Sequence, residues 1–384
     1  MSIKNKACIA GVWEHPLRLA PDHSTPQLHA ECARGALDDA GLSFADVDGY
    51  FCAGDAPGFG GMSMCDYMGI NPGYLDSSEI GGASYIAHVN HAAAAIAMGK
   101  CSVALITLAG RPRSEPFGGM RGGAPEAGFE SWVSAQMPNS YGMCAARHMY
   151  EHGTTSEQLA WIKVAASHHA QHNKHAMLRD VVTVEDVLAS PVISDPLHRL
   201  DCCVVSDGGG ALLVVAPEVA KSLNRPLIAV LGGGEATKGP RGGHGLDLTV
   251  TAAAQSGPMA FAEAGVRPAD IKYASIYDSF TITVLLQLED LGFCAKGDGG
   301  KFVTDGNLIS GLGKLPFNTD GGGLCNNHPT NRGGITKVIE AVRQLRGEAH
   351  PAVQVPNCNL ALATGIGGSL GVRHGAATLI LERQ

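Results

Sequence analysis

The chain has 384 residues, enough for two or three domains, with ample apolar content for large cores and only 17% charged residues. A net charge of -8 argues against nucleic acid as the main partner, but leaves room for a local basic pocket that takes a phosphorylated ligand. Eleven scattered cysteines with no CxxC pair argue against a zinc ribbon or redox motif, and the opening apolar run is too short for a signal peptide core or a membrane span, so a reduced, cytoplasmic protein is expected.

In chain order, Lys6–Val12 reads as a buried strand and Gln27–Ala40 as a helix stopped by Gly41. The glycine-rich FCAGDAPGFGGM reads as a loop, the alanine-rich Ala83–Met98 as a buried helix, and Val103–Ala109 as a strand. From Arg111 to about Asp195 the chain is rich in Pro, Gly, Met and His, with one clear helix at Ser156–His172; it reads as an insertion laid over the core. Strands are expected at Asp207–Val215, Leu227–Leu231, Tyr273–Tyr277, Asn359–Ala363 and Ala376–Leu381. Helices are expected at Val250–Ala264, with a break at Gly257–Pro258, and at Ser279–Leu291. LGGGEATKG, Leu231–Gly239, imitates a phosphate-binding loop but lacks GK[ST] and the dinucleotide-binding spacing.

Two echoes point to a duplication. ALDDAGLSFADV (Ala36–Val47) recurs as AFAEAGVRPADI (Ala260–Ile271), and AIAMGK (Ala95–Lys100) is echoed by AVRQLRGE (Ala341–Glu348) in the same order. A duplicated α/β half suggests two similar sheets packed through shared helices, with a site where the halves meet. The stretch DGGGLCNNHPTNRGG, Asp320–Gly334, is the candidate for that site: three glycines permit a sharp turn and close approach, His328 is presented, and a helical pattern follows. A tight strand-to-helix connection with a buried histidine fits the same residues.

Taken together, GGGLCNNHP, YDSF (Tyr277–Phe280), SDGGGALLV and GIGGSLG (Gly365–Gly371) make the chain resemble the thiolase superfamily along nearly its full length, closest to the sterol-carrier-protein-X-type thiolases and the lipid-transfer-protein branch. The resemblance implies an α/β, five-layer αβαβα thiolase fold: residues 1–111 and 200–225 as the first half, 112–199 as the insertion loop domain and 226–384 as the second half. It implies an acyl-CoA substrate, no cofactor beyond that coenzyme A, no metal, a homodimer across the first half's sheet, and a small zinc-ribbon/OB-fold partner protein.

The departures from the family pattern matter most. Gly82 stands where the nucleophilic cysteine belongs, Gly365 where the second cysteine belongs, and Tyr277 where an asparagine or histidine belongs. A covalent acyl-enzyme at the usual place is therefore lost, while His328, the backbone amides of Gly365, Gly367 and Gly368, and the helix start at Gly82 remain to hold an enolate. The expected reaction is retro-aldol cleavage of a β-hydroxyacyl-CoA, as in the steroid side-chain aldolases of this branch, with Tyr277 as base or acid. A free tyrosine, pKa about 10, needs a cationic environment to act as a base. The alternatives are a C-acyltransferase using Cys325 as a relocated nucleophile, and a non-catalytic acyl-CoA or lipid carrier or scaffold subunit. Asp278 is expected to cap the following helix, and Asn326 and Asn327 to hold the loop through bonds to backbone. Arg111, Arg113 and Arg121 are candidate contacts for the CoA phosphates, a solvated basic patch being the other reading. His168, His169, His172 and His175 imitate a metal cluster.

Overall fold

The computed structural model describes residues 2–115, 137–239, 247–329, 333–370 and 373–384. The first half runs β1 (Cys8–Glu14), α1 (Thr25–Ala40), β2 (Gly49–Phe51), α2 (Gly61–Met68), β3 (Tyr74–Asp76), α3 (Ser84–Ala97) and β4 (Val103–Gly110). Then come α4 (Met137–His152), α5 (Ser156–Ala170), the short α6 (Val184–Ala189) and a hairpin of β5 (Val192–Ser194) and β6 (Leu197–His198). Strand β7 (Gly208–Val215) returns to lie between β1 and β4, followed by α7 (Pro217–Ser222). The second half runs β8 (Ile228–Lys238), α8 (Ala253–Ala264), β9 (Tyr273–Ile276), α9 (Thr281–Asp290), the one-turn helices α10 (Gly299–Phe302) and α11 (Gly322–Cys325), α12 (Gly334–Arg346), β10 (Leu360–Ser369) and β11 (Arg373–Arg383).

The strands order as β3-β2-β4-β7-β1-β8-β11-β10-β9. In the first half β2 and β4 are parallel, and β7 is antiparallel to both β4 and β1. In the second, β9 and β10 are parallel, and β11 is antiparallel to both β10 and β8. The directions of β2, β4, β7 and β1 repeat in β9, β10, β11 and β8; β3, at the outer edge of the first half, has no counterpart among the described residues. The two half-sheets join edge to edge at the pairs Cys8↔Ala229 and Ile9↔Ile228, extended by the Val230 N–H to the Ala7 carbonyl at 3.0 Å, so they form one continuous sheet.

Alternation along the strands sorts the cores into layers. Leu212 and Val214 of β7, and Ala361 and Ala363 of β10, share one core with α3 and α12. Their neighbours Leu213 and Val215 pack with α1 on the outer face, while Leu362 packs with α8 and α9 on the other. The order is therefore α1, half-sheet, α3 with α12, half-sheet, α8 with α9: five layers.

The repeated sequence does the same local work twice. Gly41 and Gly265 end α1 and α8 in the left-handed region, at φ 74° and 73°, where glycine carries no Cβ penalty. Asp46 then accepts the Ser43 N–H at 2.8 Å, and Asp270 accepts the Arg267 N–H at 2.8 Å, each closing a 3₁₀ turn before a strand.

Some elements differ from the sequence reading. LGGGEATK is strand, not a phosphate loop. A Cβ on Gly232 or Gly234 would come within 2.4 and 2.1 Å of α8 carbonyls, and one on Gly233 within 2.1 Å of the Asn90 side chain on α3. These glycines let helices seat on both faces. Helix α8 passes through Pro258 without a break, and the loop reading around Phe51–Met62 missed the start of α2 at Gly61.

Candidate active site

Tyr277 follows β9, and His328 lies between α11 and α12. Both are buried, at 3% and 6% exposure, and the tyrosine hydroxyl lies 2.9 Å from His328 Nε2 with the rings edge to face at 5.5 Å. The His328 N–H donates to Ser206 Oγ at 2.9 Å, where Ser206 and Pro329 form a parallel bridge. Gly323 and Gly333 flank the imidazole: a Cβ on either would come within 3.1 or 3.3 Å of His328 Cδ2.

Gly82 sits in the 3₁₀ turn, Gly81–Ala83, that opens α3. A Cβ there would stand 2.4 Å from Tyr277 Cζ and 2.4 Å from the Ile366 carbonyl oxygen. The phenol ring thus fills the space that a side chain at position 82 would need. The turn also rests on β10: a Cβ on Gly365 would meet the Gly82 carbonyl oxygen at 2.9 Å, and one on Gly367 would meet that of Ile80 at 1.6 Å. Gly368 has φ 81°, and its N–H nitrogen would lie 2.9 Å from a Cβ on Gly81. The close approach these glycines permit is between two segments of the chain itself.

Asp278 does not cap α9, whose N-cap is Phe280 with no side-chain cap bond. Its carboxylate instead accepts N–H bonds from Gly323 at 2.8 Å and Leu324 at 3.1 Å, and pairs with Lys337 Nζ at 2.6 Å. The loop asparagines also find carboxylates rather than backbone. Glu14 accepts from Asn326 Nδ2 at 2.9 Å, from Asn327 Nδ2, and from Arg343 at 3.0 Å, and Asn326 Nδ2 also donates to Asp320 at 3.0 Å. Burial alone would raise the Glu14 carboxyl, but Arg18 and Arg343 hold it down at about 2. Glu340 goes the other way: burial, then the Asp320 carboxylate, push it up to about 7.

Comparison with known proteins places the chain in a family. Residues 234–383 match the family model described as thiolase C-terminal domain-like. A steroid side-chain-cleaving aldolase from Thermomonospora curvata is 34% identical over 389 residues, covering 94% of this chain and 95% of that protein. The chain belongs to the thiolase superfamily. An acetyl-CoA acetyltransferase from Methanothermobacter thermautotrophicus is 31% identical, covering 94% and 95%. The solved structure of an Ltp2-ChsH2(DUF35) aldolase superposes with a TM-score of 0.89 at 32% identity, covering 99% of this chain and 98% of that one.

In this thiolase-superfamily chain the remaining candidates fall as follows. Cys325 is fully buried and accepts from Lys163 Nζ at 3.2 Å, with burial raising its thiol above the ordinary range. A thiol so enclosed is a poor nucleophile. Arg111 spends its guanidinium on the His23 carbonyl and, at 2.9 Å, on Glu115; the Arg113 backbone is held by Asp207 at 2.8 Å. Arg121 lies outside the described residues. The histidines in and just after α5 diverge: His169 is buried and accepts the Ser310 N–H at 2.9 Å, whereas His172, beyond the helix end, stacks on His350 at 4.9 Å. Among the described residues no group of three or more His, Cys, Asp or Glu is placed to hold a metal ion. Sequence reasoning missed Ser206, Glu14 and Lys337. The position of Ser206 just before DGGG in a recognised motif was the only signal for any of them.

Proposed function

We propose that this chain is a lyase that cleaves the Cα–Cβ bond of a β-hydroxyacyl-CoA by retro-aldol chemistry. One observation carries the reading: the tyrosine that bonds His328 occupies the space of the absent nucleophile's side chain. Nothing at position 82 can form an acyl-enzyme, and the group in its place is an acid/base pair 2.9 Å across.

In the proposed reaction the Tyr277 oxygen takes the proton of the substrate 3-hydroxyl while the phenol proton passes to His328 Nε2. The carbonyl forms at Cβ, and the electron pair of the broken bond becomes the thioester enolate. In this proposal the Gly82 backbone N–H holds the enolate oxygen, those of Gly81 and Ala83 being bonded to Glu79 and to the Ile80 carbonyl, and the returning proton lands on Cα. Gly365, Gly367 and Gly368 serve by seating β10 beneath that turn. Donors of this kind are each worth about 100- to 1000-fold in rate.

The named activity of the Thermomonospora relative supports a steroid side-chain thioester as the substrate class. The likeness to the Ltp2-ChsH2(DUF35) aldolase supports a DUF35 protein as partner; in this proposal it is the zinc-ribbon/OB-fold chain. β3 at the sheet's outer edge, α2 and the turn before it expose Leu75, Met62, Tyr67 and Phe59, apolar side chains beside a sheet edge that suit a homodimer. The cysteines are all free thiols, which suits a reducing, cytoplasmic compartment. No described helix is long and apolar enough to cross a membrane.

The test is product analysis of the purified chain, with and without such a partner, on a panel of β-hydroxyacyl-CoAs lacking free CoA. A shortened acyl-CoA and a ketone or aldehyde in equal amounts are expected; cleavage that requires free CoA overturns the proposal.

A further inference from the structure

β9 meets the chain ahead of the His328 loop at the bridge Ala274↔Phe317, and the Asn318 side chain brackets the Ile276 backbone, but these contacts stop short of the histidine, and the 2.9 Å contact of Tyr277 with His328 leaves little tolerance. The side chain beside Tyr277 supplies a link nearer the histidine. The Asp278 carboxylate accepts the N–H groups of Gly323 and Leu324, just before His328, and the ammonium of Lys337, on the helix just after it. One carboxylate therefore grips the chain on both flanks of the histidine. The approach is so close that a Cβ on Gly322 would lie 2.1 Å from Asp278 Oδ2.

The pair is buried, Asp278 at 1% and Lys337 at 2% exposure, at an N···O distance of 2.6 Å. Burying two charges costs desolvation that their attraction need not repay, and an apolar pair of similar volume is commonly as stable. Stability is thus a weak reason to keep it. Geometry is a stronger one: a carboxylate with three fixed donors on two elements sets the position of the segment after β9 relative to α11 and α12.

We infer that Lys337 is a positioning residue for the reaction: through Asp278 it holds the His328 loop at hydrogen-bonding distance from Tyr277. The inference rests on the acid/base reading of Tyr277 and His328 given above. A displacement of about 1 Å between reacting groups can cost about 100-fold in rate.

The experiment is steady-state kinetics of retro-aldol cleavage by the full chain, with its DUF35-type partner if required, for Lys337→Met, Lys337→Arg, Tyr277→Phe and the Lys337→Met/Tyr277→Phe double variant. Lys337→Met is expected to lower kcat about 100-fold with KM within about 3-fold, and Lys337→Arg to recover about 10-fold of that. In the Tyr277→Phe background the Lys337→Met change is expected to cost less than about 3-fold, because the contact it protects is already gone. Should Lys337→Met not fold, Asp278→Asn, which keeps the side chain's shape, carries the same expectations. Near-normal kcat in the lysine or asparagine variant while Tyr277→Phe loses about 100-fold or more overturns the inference, as does full multiplication of the two losses. An active Tyr277→Phe instead overturns the acid/base reading on which it rests.

Discussion

A Cβ on Gly82 would stand 2.4 Å from Cζ and 2.5 Å from Cε2 of Tyr277. The two positions are mutually exclusive as side-chain sites: either residue 82 carries a thiol or residue 277 carries a phenol. In this chain the phenol has the space, and with it the bond to His328.

It follows that restoring the missing thiol by itself does not restore acyl transfer. Gly82→Cys is expected to displace the Tyr277 ring, to cost about 1–3 kcal/mol in stability from overpacking, and to lower lyase turnover without creating CoA-dependent thiolysis. Product analysis with and without free CoA, alongside a melting curve, checks it. Thiolysis by the single variant would mean that the ring moves aside freely.

Tyr277→Phe keeps the ring that fills the Gly82 space and removes only the hydroxyl. A kcat loss of about 100- to 10,000-fold is expected, the range for loss of a general acid/base, with Tm changed by only a few degrees. A carrier or scaffold subunit would bind acyl-CoA equally well in both forms and show no turnover in either.

Cys325→Ser separates the lyase from a relocated thiolase. Cys325 is enclosed and engaged by Lys163, so the folded variant is expected to keep cleavage activity within about 3-fold, while the lost sulfur packing costs about 1 kcal/mol of stability. Burst kinetics with loss of activity in the serine variant would assign the chemistry to that sulfur.

Glu340 makes stability depend on pH in a stated direction. Burial and Asp320 raise its carboxyl from an ordinary 4.5 to about 7, so the folded chain binds the proton more tightly than the unfolded chain. Its contribution is full below pH 4.5 and is lost as pH rises to about 7. Glu340→Gln removes this titration while keeping an acceptor for Thr319, which donates to Glu340 at 2.6 Å. The Tm of the variant minus that of the wild type is therefore expected to grow between pH 4.5 and 7 and level off above. A difference that stays flat contradicts it.

His91 ties the two halves together with its own pH dependence. Hydrogen bonds to Asp76 of β3 and Glu235 of β8 raise it to about 10, so its stabilisation is full below pH 6.5 and is lost as pH rises toward about 10. His91→Gln is expected to lower Tm at about pH 6, with the gap closing by about pH 10; partial exposure keeps the effect to about 1 kcal/mol.

What the sequence disclosed was local. The paired turns at Gly41 and Gly265 show in it because glycine and aspartate do the same work at both. The Gly82, Tyr277 and His328 positions show because each departs from or keeps a motif residue. What stayed hidden is set by tertiary contact. Asp278 looks like a cap until the chain brings Gly323 and Lys337 to it from 45 and 59 residues away. Leu231–Gly239 looks like a phosphate loop because nothing in it tells that helices press on both faces of the strand.

The most direct measurement is cleavage of a β-hydroxyacyl-CoA by the purified chain, with and without a DUF35-type partner, in the strict absence of free CoA. Retro-aldol chemistry predicts one shortened acyl-CoA and one ketone or aldehyde for every substrate consumed. A strict requirement for free CoA, with an acyl group trapped on a cysteine, would contradict it.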